Sequence, residues 1–229
     1  MSGYVVKPPV TPTLPVRGTT DRFPIRRVYC VGRNYAAHAI EMGRDPNKEP
    51  PFFFQKNPDN VIDSGVTFPY PSLTNDLHFE IELVVAIGKG GSNISTEKAL
   101  DHVYGYAVGL DMTRRDLQNQ AKDLQRPWEV GKAFEKSAPI SEIVRASEIG
   151  HPDKGEIKLD VNGKPRQKAN LNELIWNVSE TIFYLSGLVE LGAGDLIYTG
   201  TPEGVGAVVK GDTLIGSVVG CGSVAISYV

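Results

Sequence analysis

The chain has 229 residues, enough for one large domain or two small ones, and its 41% hydrophobic and 22% charged content is that of a globular protein in water. Its formal net charge of −3, with no basic run, argues against a nucleic-acid partner, because neutralising phosphates takes clustered Lys and Arg. No apolar stretch is long enough to span a bilayer, and MSGYVVKPPVTPTLPV lacks the charged start and apolar core of a signal peptide; with two cysteines, Cys30 and Cys221, and no disulfide framework, the expectation is a cytoplasmic protein.

In chain order, residues 1–24 are rich in Pro and Thr and predict an extended N-terminal arm. Ile25 to Val31 predict a buried strand that Gly32 ends. A short helical pattern runs from Tyr35 to Ile40, stopped by Gly43. GRDPNKEPP, residues 43–51, is a polar loop of the kind that often carries function. Phe52–Phe54 and Phe79–Ile87 have strand character. Ser95–Val103 predict a short helix with Ser95 as N-cap, and Tyr104–Met112 another strand. The clearest helix runs over 171–186, with Leu171, Leu174, Ile175, Val178, Ile182 and Leu185 on one face, Asn170 and Glu173 as a capping box and Gly187 as the stop. Short strands with glycine turns follow Gly194, ending in Ser223–Val229. Without repeats or a linker, residues 25–229 predict a single α+β domain, rich in strand, with a few short helices.

In FEIELVVAIG, residues 79–88, Phe79, Ile81, Leu83 and Val85 alternate with Glu80 and Glu82. The two carboxylates therefore share one strand face, their Cα atoms roughly 7 Å apart, close enough to reach one cation. A half-exposed strand with a solvated acidic face gives the same pattern. Against that stands Asp111, a third carboxylate ending the apolar strand YAVGLD, where burial is costly without a positive partner. Three carboxylates with no His or Cys suit a hard cation, Mg²⁺ or Mn²⁺.

His38 and Glu41 lie three apart in a helical pattern and share a face, so the carboxylate can orient the imidazole as a general base; an ordinary surface pair has the same spacing. His78, His102 and His151 show no such pairing and read as structural or solvated. YTGTPEGVG, residues 198–206, fits neither a phosphate loop nor a dinucleotide turn. It is either a plain turn or the backbone lining of a small anion site with the Thr201 hydroxyl. GKGG, residues 88–91, reads as a hairpin turn.

Taken in order, GRNYAAHAIEMG, FEIELVVAIG, GLDMTRRDLQ, GKAFEKSAPIS, VNGKPRQ and GTPEGVG resemble the fumarylacetoacetate hydrolase family over residues 25–229. Within it, FPIRRVYCVGRNYAAHA and PPFFFQK look like the small branch acting on acylpyruvates, and like its members that cleave fumarylpyruvate in aromatic degradation through gentisate. The resemblance implies a mixed β-roll, usually a homodimer, with Glu80, Glu82 and Asp111 holding Mg²⁺ or Mn²⁺. It implies His38 and Glu41 as a dyad on a lid, Lys132 as the active-site lysine, and Thr201 on a substrate carboxylate. Arg33, Tyr35, Arg115 and Gln118 fall in matching active-site segments.

The implied reaction is hydrolysis of a carbon–carbon bond in a 2,4-diketo acid. The cation anchors the keto-acid end, His38 activates water, and Lys132 with Gln118 steadies the oxyanion. Arg44, Asn47 and Lys56 are the expected contacts for a distal carboxylate. The same ligand set would also serve oxaloacetate decarboxylation or isomerisation of a hydroxymuconate-type diacid. A binding dimer without activity is the reading from another class; it predicts gaps in the catalytic set, and Glu80, Glu82, Asp111, Lys132, His38 and Glu41 are all present.

Overall fold

The computed structural model of the chain describes residues 3–37 and 49–229. The long apolar runs assemble into an eight-stranded mixed sheet. Its order is Phe52–Lys56, Arg27–Gly32, Asp195–Tyr198, Ile81–Ile87, Val103–Leu110, Ala138–Ile140 and Val61–Asp63, with Val144–Arg145 paired beside Val103–Leu110. A second sheet orders Lys164–Asn170, Glu156–Val161, Thr213–Val218, Gly222–Tyr228 and Val66–Phe68. The result is a strand-rich α+β fold with short helices.

Alternation along the central strand Ile81–Ile87 divides the interior. Ile81, Leu83, Val85 and Ile87 face a core shared with Ile157, Leu159, Leu214 and Ile226 of the second sheet and with Ile182 and Leu185 of a helix. Val84 and Ala86 face a smaller core with Val28, Cys30, Ala107 and Leu196. Both faces are therefore buried, and Glu82, in line with Val84 and Ala86, has no solvated side to turn to.

Four expectations are corrected. Of residues 1–24, only the first half is arm-like: 3–11 are exposed, whereas Thr13–Pro15 and Arg22–Pro24 pair as a hairpin that buries Leu14, Val16 and Phe23 in the smaller core. The helix expected over 171–186 begins late, at Val178, and Gly187 lies inside Val178–Leu188. Asn177 and Glu180 form the capping box, while Asn170 caps only the 3₁₀ turn Leu171–Glu173. Asn34 draws residues 174–176 out of the helix: its carbonyl accepts from the Ile175 N–H at 2.8 Å and its side chain from the Trp176 N–H at 2.7 Å. In 95–103 only Ala99–His102 is helical, as a 3₁₀ turn. GKGG is no hairpin turn, since Gly91 bridges to Leu191 across the chain.

Candidate active site

Glu80 stands between the strands Leu77–Phe79 and Ile81–Ile87, and Glu82 is the second residue of the latter. Asp111 follows the end of Val103–Leu110, whose antiparallel register sets Gly109 opposite Glu82 and Leu110 opposite Ile81. A side chain at Gly109 would collide with Tyr198 and Val84, since a Cβ there would lie 2.5 Å from the Tyr198 ring. The pairing brings the three carboxylates together with one oxygen from each within 4.8 Å of the others. Glu80, Glu82 and Asp111 are 6%, 1% and 0% exposed, which rules out the solvated acidic face.

Cations meet two of these carboxylates. The Lys132 ammonium donates to Glu80 Oε2 at 2.8 Å, Asp111 Oδ2 at 2.7 Å and Thr113 Oγ1 at 2.7 Å. Arg115 pairs with Glu80 through Nη2 and donates through Nη1 to Gln118 Oε1 at 2.6 Å. Lys56 closes the cluster from below, 2.8 Å from Asp111 Oδ1, and donates to the carbonyls of Met112 and Lys132. Burial opposes the Lys132 charge, but Asp111 and Glu80 more than offset this and hold its pKa above the usual lysine value.

Glu82 is different. Its partner is the Gly200 N–H, which donates to Oε2 at 2.7 Å, and among the described residues it forms no ion pair. Burial, then the charges of Asp111 and Glu80, push its carboxyl well above the ordinary carboxylate range. A buried carboxylate left short of positive charge, with two more at its side and only oxygen donors converging, fits a hard divalent cation. Lys132 then shares Glu80 and Asp111 with that cation.

The glycine-rich turn supplies this geometry. Gly200 has φ +99°, and a Cβ there would meet Asn34 Cβ at 2.6 Å, so only glycine aims this N–H at Glu82. Thr201 lines the cleft, and its hydroxyl accepts from Gln167 Nε2 at 2.8 Å; Gln167 also accepts from the Ile81 N–H at 3.0 Å. Gln167 thus ties the turn to the carboxylate strand, a role its place in VNGKPRQ did not reveal.

Over the carboxylates opens a cleft. Its walls include Glu80, Glu82, Arg115, Gln118, Lys132 and Thr201, as expected, and Arg33. Two expected substrate contacts do not fit. Lys56 is 2% exposed, with its ammonium turned beneath Asp111, and Tyr35 is buried outside the described cleft wall. The oxyanion role of Lys132 also needs correction, because an ammonium has three N–H donors and all three are engaged. Gln118 is the better donor: Arg115 occupies its carbonyl oxygen, leaving its NH₂ for a ligand. His38, Glu41, Arg44 and Asn47 lie outside the described residues.

Lys122 and Trp128 are among the wall residues that were not anticipated. His78 is also corrected: its Nε2 lies 2.8 Å from Asp76 Oδ1, and its Nδ1 is 3.4 Å from the Arg115 Nε–H. Burial and then Arg115 lower its pKa, so a neutral ring sits behind Arg115 and orients it. Aspartate two residues away on an extended segment was the missed signal.

The chain matches the family described as fumarylacetoacetate (FAA) hydrolase C-terminal over residues 27–226. It is 50% identical over 188 residues to a fumarylpyruvate hydrolase of a Ralstonia species, covering 81% of this chain and 97% of that protein. It is 40% identical to a mitochondrial oxaloacetate tautomerase of Arabidopsis thaliana, covering 86% and 88%. The fold superposes at a TM-score of 0.97, with 52% identity and 99% of each chain covered, on the crystal structure of fumarylpyruvate hydrolase from Pseudomonas aeruginosa in complex with Mn²⁺ and pyruvate.

Proposed function

The chain belongs to the fumarylacetoacetate hydrolase family, and from that premise we propose that it hydrolyses a carbon–carbon bond in an acylpyruvate, foremost fumarylpyruvate, to fumarate and pyruvate. The observation that carries the reading is the buried Glu80, Glu82 and Asp111 cluster, of which Glu80 and Glu82 line the cleft. It is supported by the fumarylpyruvate hydrolases that share half of its residues. The same reading takes the protein as a cytoplasmic homodimer serving aromatic degradation through gentisate; among the described residues no helix is long and apolar enough to cross a membrane.

Glu80, Glu82 and Asp111 would hold Mg²⁺ or Mn²⁺, which would supply Lewis-acid chemistry at the keto-acid end of the substrate. Arg115 and Lys132 hold Glu80 and Asp111 in place, and Gly200 holds Glu82. His38, oriented by Glu41, takes a proton from water, and the oxygen adds to the C4 carbonyl. Gln118 donates its NH₂ to the oxygen on which charge develops. The C3–C4 bond then breaks, the acyl carbon leaves as fumarate with the water oxygen, and the electron pair passes to the enolate of pyruvate, which takes at C3 the proton that His38 removed from water.

A second reading, tautomerisation or decarboxylation of oxaloacetate, is favoured by relatives at 40% and 39% identity that bear those names. The two are separated by specificity constants on fumarylpyruvate, acetylpyruvate and oxaloacetate with Mn²⁺. Hydrolysis requires fumarylpyruvate to lead and His38→Ala to remove pyruvate release; faster turnover of oxaloacetate, unaffected by His38→Ala, would overturn it.

A further inference from the structure

Lys122, a cation in the cleft wall, has no work in the mechanism above. Lys122 lies on the helix Arg115–Asp123, and Arg115, Gln118 and Lys122 follow at i, i+3 and i+7, so one helix face presents all three to the cleft. Two turns separate Arg115 from Lys122, about 10 Å along the axis. Arg115 grips Glu80 at the near end. At the far end the Lys122 ammonium stands 5.3 Å from the Trp128 ring centroid, and Trp128 meets Phe52 edge to face at 5.5 Å. The Arg33 guanidinium lies over the same Phe52 ring at 5.2 Å.

Among the described residues Lys122 forms no ion pair. Of the charged groups that bear most on it, Arg115, Lys132 and Arg33 oppose its charge and Glu80 favours it. Burial and those three cations lower its pKa to about 8. A half-buried lysine among cations on an aromatic wall is a place short of an anion.

We propose that Lys122 determines specificity by receiving the far carboxylate of a 2-oxo diacid whose keto-acid end lies at Glu80, Glu82 and Asp111, with Trp128 and Phe52 flanking the chain between. The inference rests on the acylpyruvate reading and names the end group that this cleft prefers. It replaces Lys56, whose ammonium faces away. The aromatic walls suit a flat, conjugated enoyl segment, and the two helical turns match an extended dioxo diacid in scale.

The test compares two stable ligands of one chain length, 2-oxoheptanedioate and 2-oxoheptanoate. Neither carries a 4-oxo group, so neither is cleaved. Calorimetric titration of the Mn²⁺-loaded protein is expected to show the diacid bound about ten- to a hundredfold more tightly, the range of a charge-assisted hydrogen bond. Lys122→Met should remove that preference while leaving the monoacid affinity unchanged, which also shows that the variant is folded. Lys122→Arg should keep most of it. Equal binding of both ligands by the unaltered protein, or binding of neither, overturns the proposal. So does a preference that survives Lys122→Met, or equal weakening of both ligands. An intact preference without pyruvate release from fumarylpyruvate would overturn the hydrolysis reading alone.

Discussion

The two ends of the cleft manage charge by opposite means. At the floor, Glu80 and Asp111 are met by fixed cations on residues anchored in the sheet and its flanking helices, and only Glu82 is left to a backbone N–H. At the mouth, Lys122 and Arg33 rest on aromatic rings; Glu49 lies 3.8 Å from Arg33, while Lys122 forms no ion pair among the described residues. A nearly compensated acidic floor holds a cation without large rearrangement. At the mouth, Lys122 is left for an anion that arrives with the substrate. The difference separates the residues that build the reacting centre from those that select what reaches it.

The contrast is broken most severely at Glu82. Glu82→Gln removes the carboxylate that forms no ion pair among the described residues, and pyruvate release should fall below detection. The rise in melting temperature on adding Mn²⁺, which follows from binding to the folded state alone, should vanish with it. An unchanged rise would place the cation elsewhere.

Next comes Lys56→Met, which leaves the buried Asp111 without one of its two cation partners. The loss of a buried partner predicts about 3–5 kcal/mol of destabilisation in urea unfolding; under 1 kcal/mol would show that Lys56 is incidental to the floor. Gly200→Ala demands a side chain at φ +99° against Asn34 and misaims the N–H that holds Glu82. Mn²⁺ affinity should drop about ten- to a hundredfold, the usual effect of losing an outer-sphere partner.

The smallest effect belongs to the mouth. Because the Lys122 pKa is lowered to about 8, its charge is lost as pH rises through that value. The kcat/KM for fumarylpyruvate, which reports the free enzyme, should decline on that alkaline limb. The limb should be absent for acetylpyruvate, which has no second carboxylate, and absent in Lys122→Met. Identical limbs for both substrates would move the ionisation to another group.

The floor was legible because strands write their facing in alternation: Glu80 and Glu82 stand out against Phe79, Ile81 and Leu83, and Asp111 interrupts an apolar run. The mouth was not, because Lys122 and Trp128 belong to a short polar helix and the turn after it, where a lysine has many reasons to occur. Helix boundaries failed where tertiary contacts outranked periodicity, as when Asn34 claims residues 174–176. Likewise the distance from Asp76 to His78 is short in sequence, yet its meaning depends on Arg115, drawn from a distant segment.

The central claim, water-driven carbon–carbon cleavage at a metal held by Glu80, Glu82 and Asp111, is tested most directly by turnover of fumarylpyruvate in ¹⁸O-labelled water with Mn²⁺. The account predicts equimolar pyruvate and fumarate, one solvent oxygen in the fumarate carboxylate, and no products once the metal is chelated. Products without solvent oxygen in fumarate, or an undiminished rate under chelation, would contradict it.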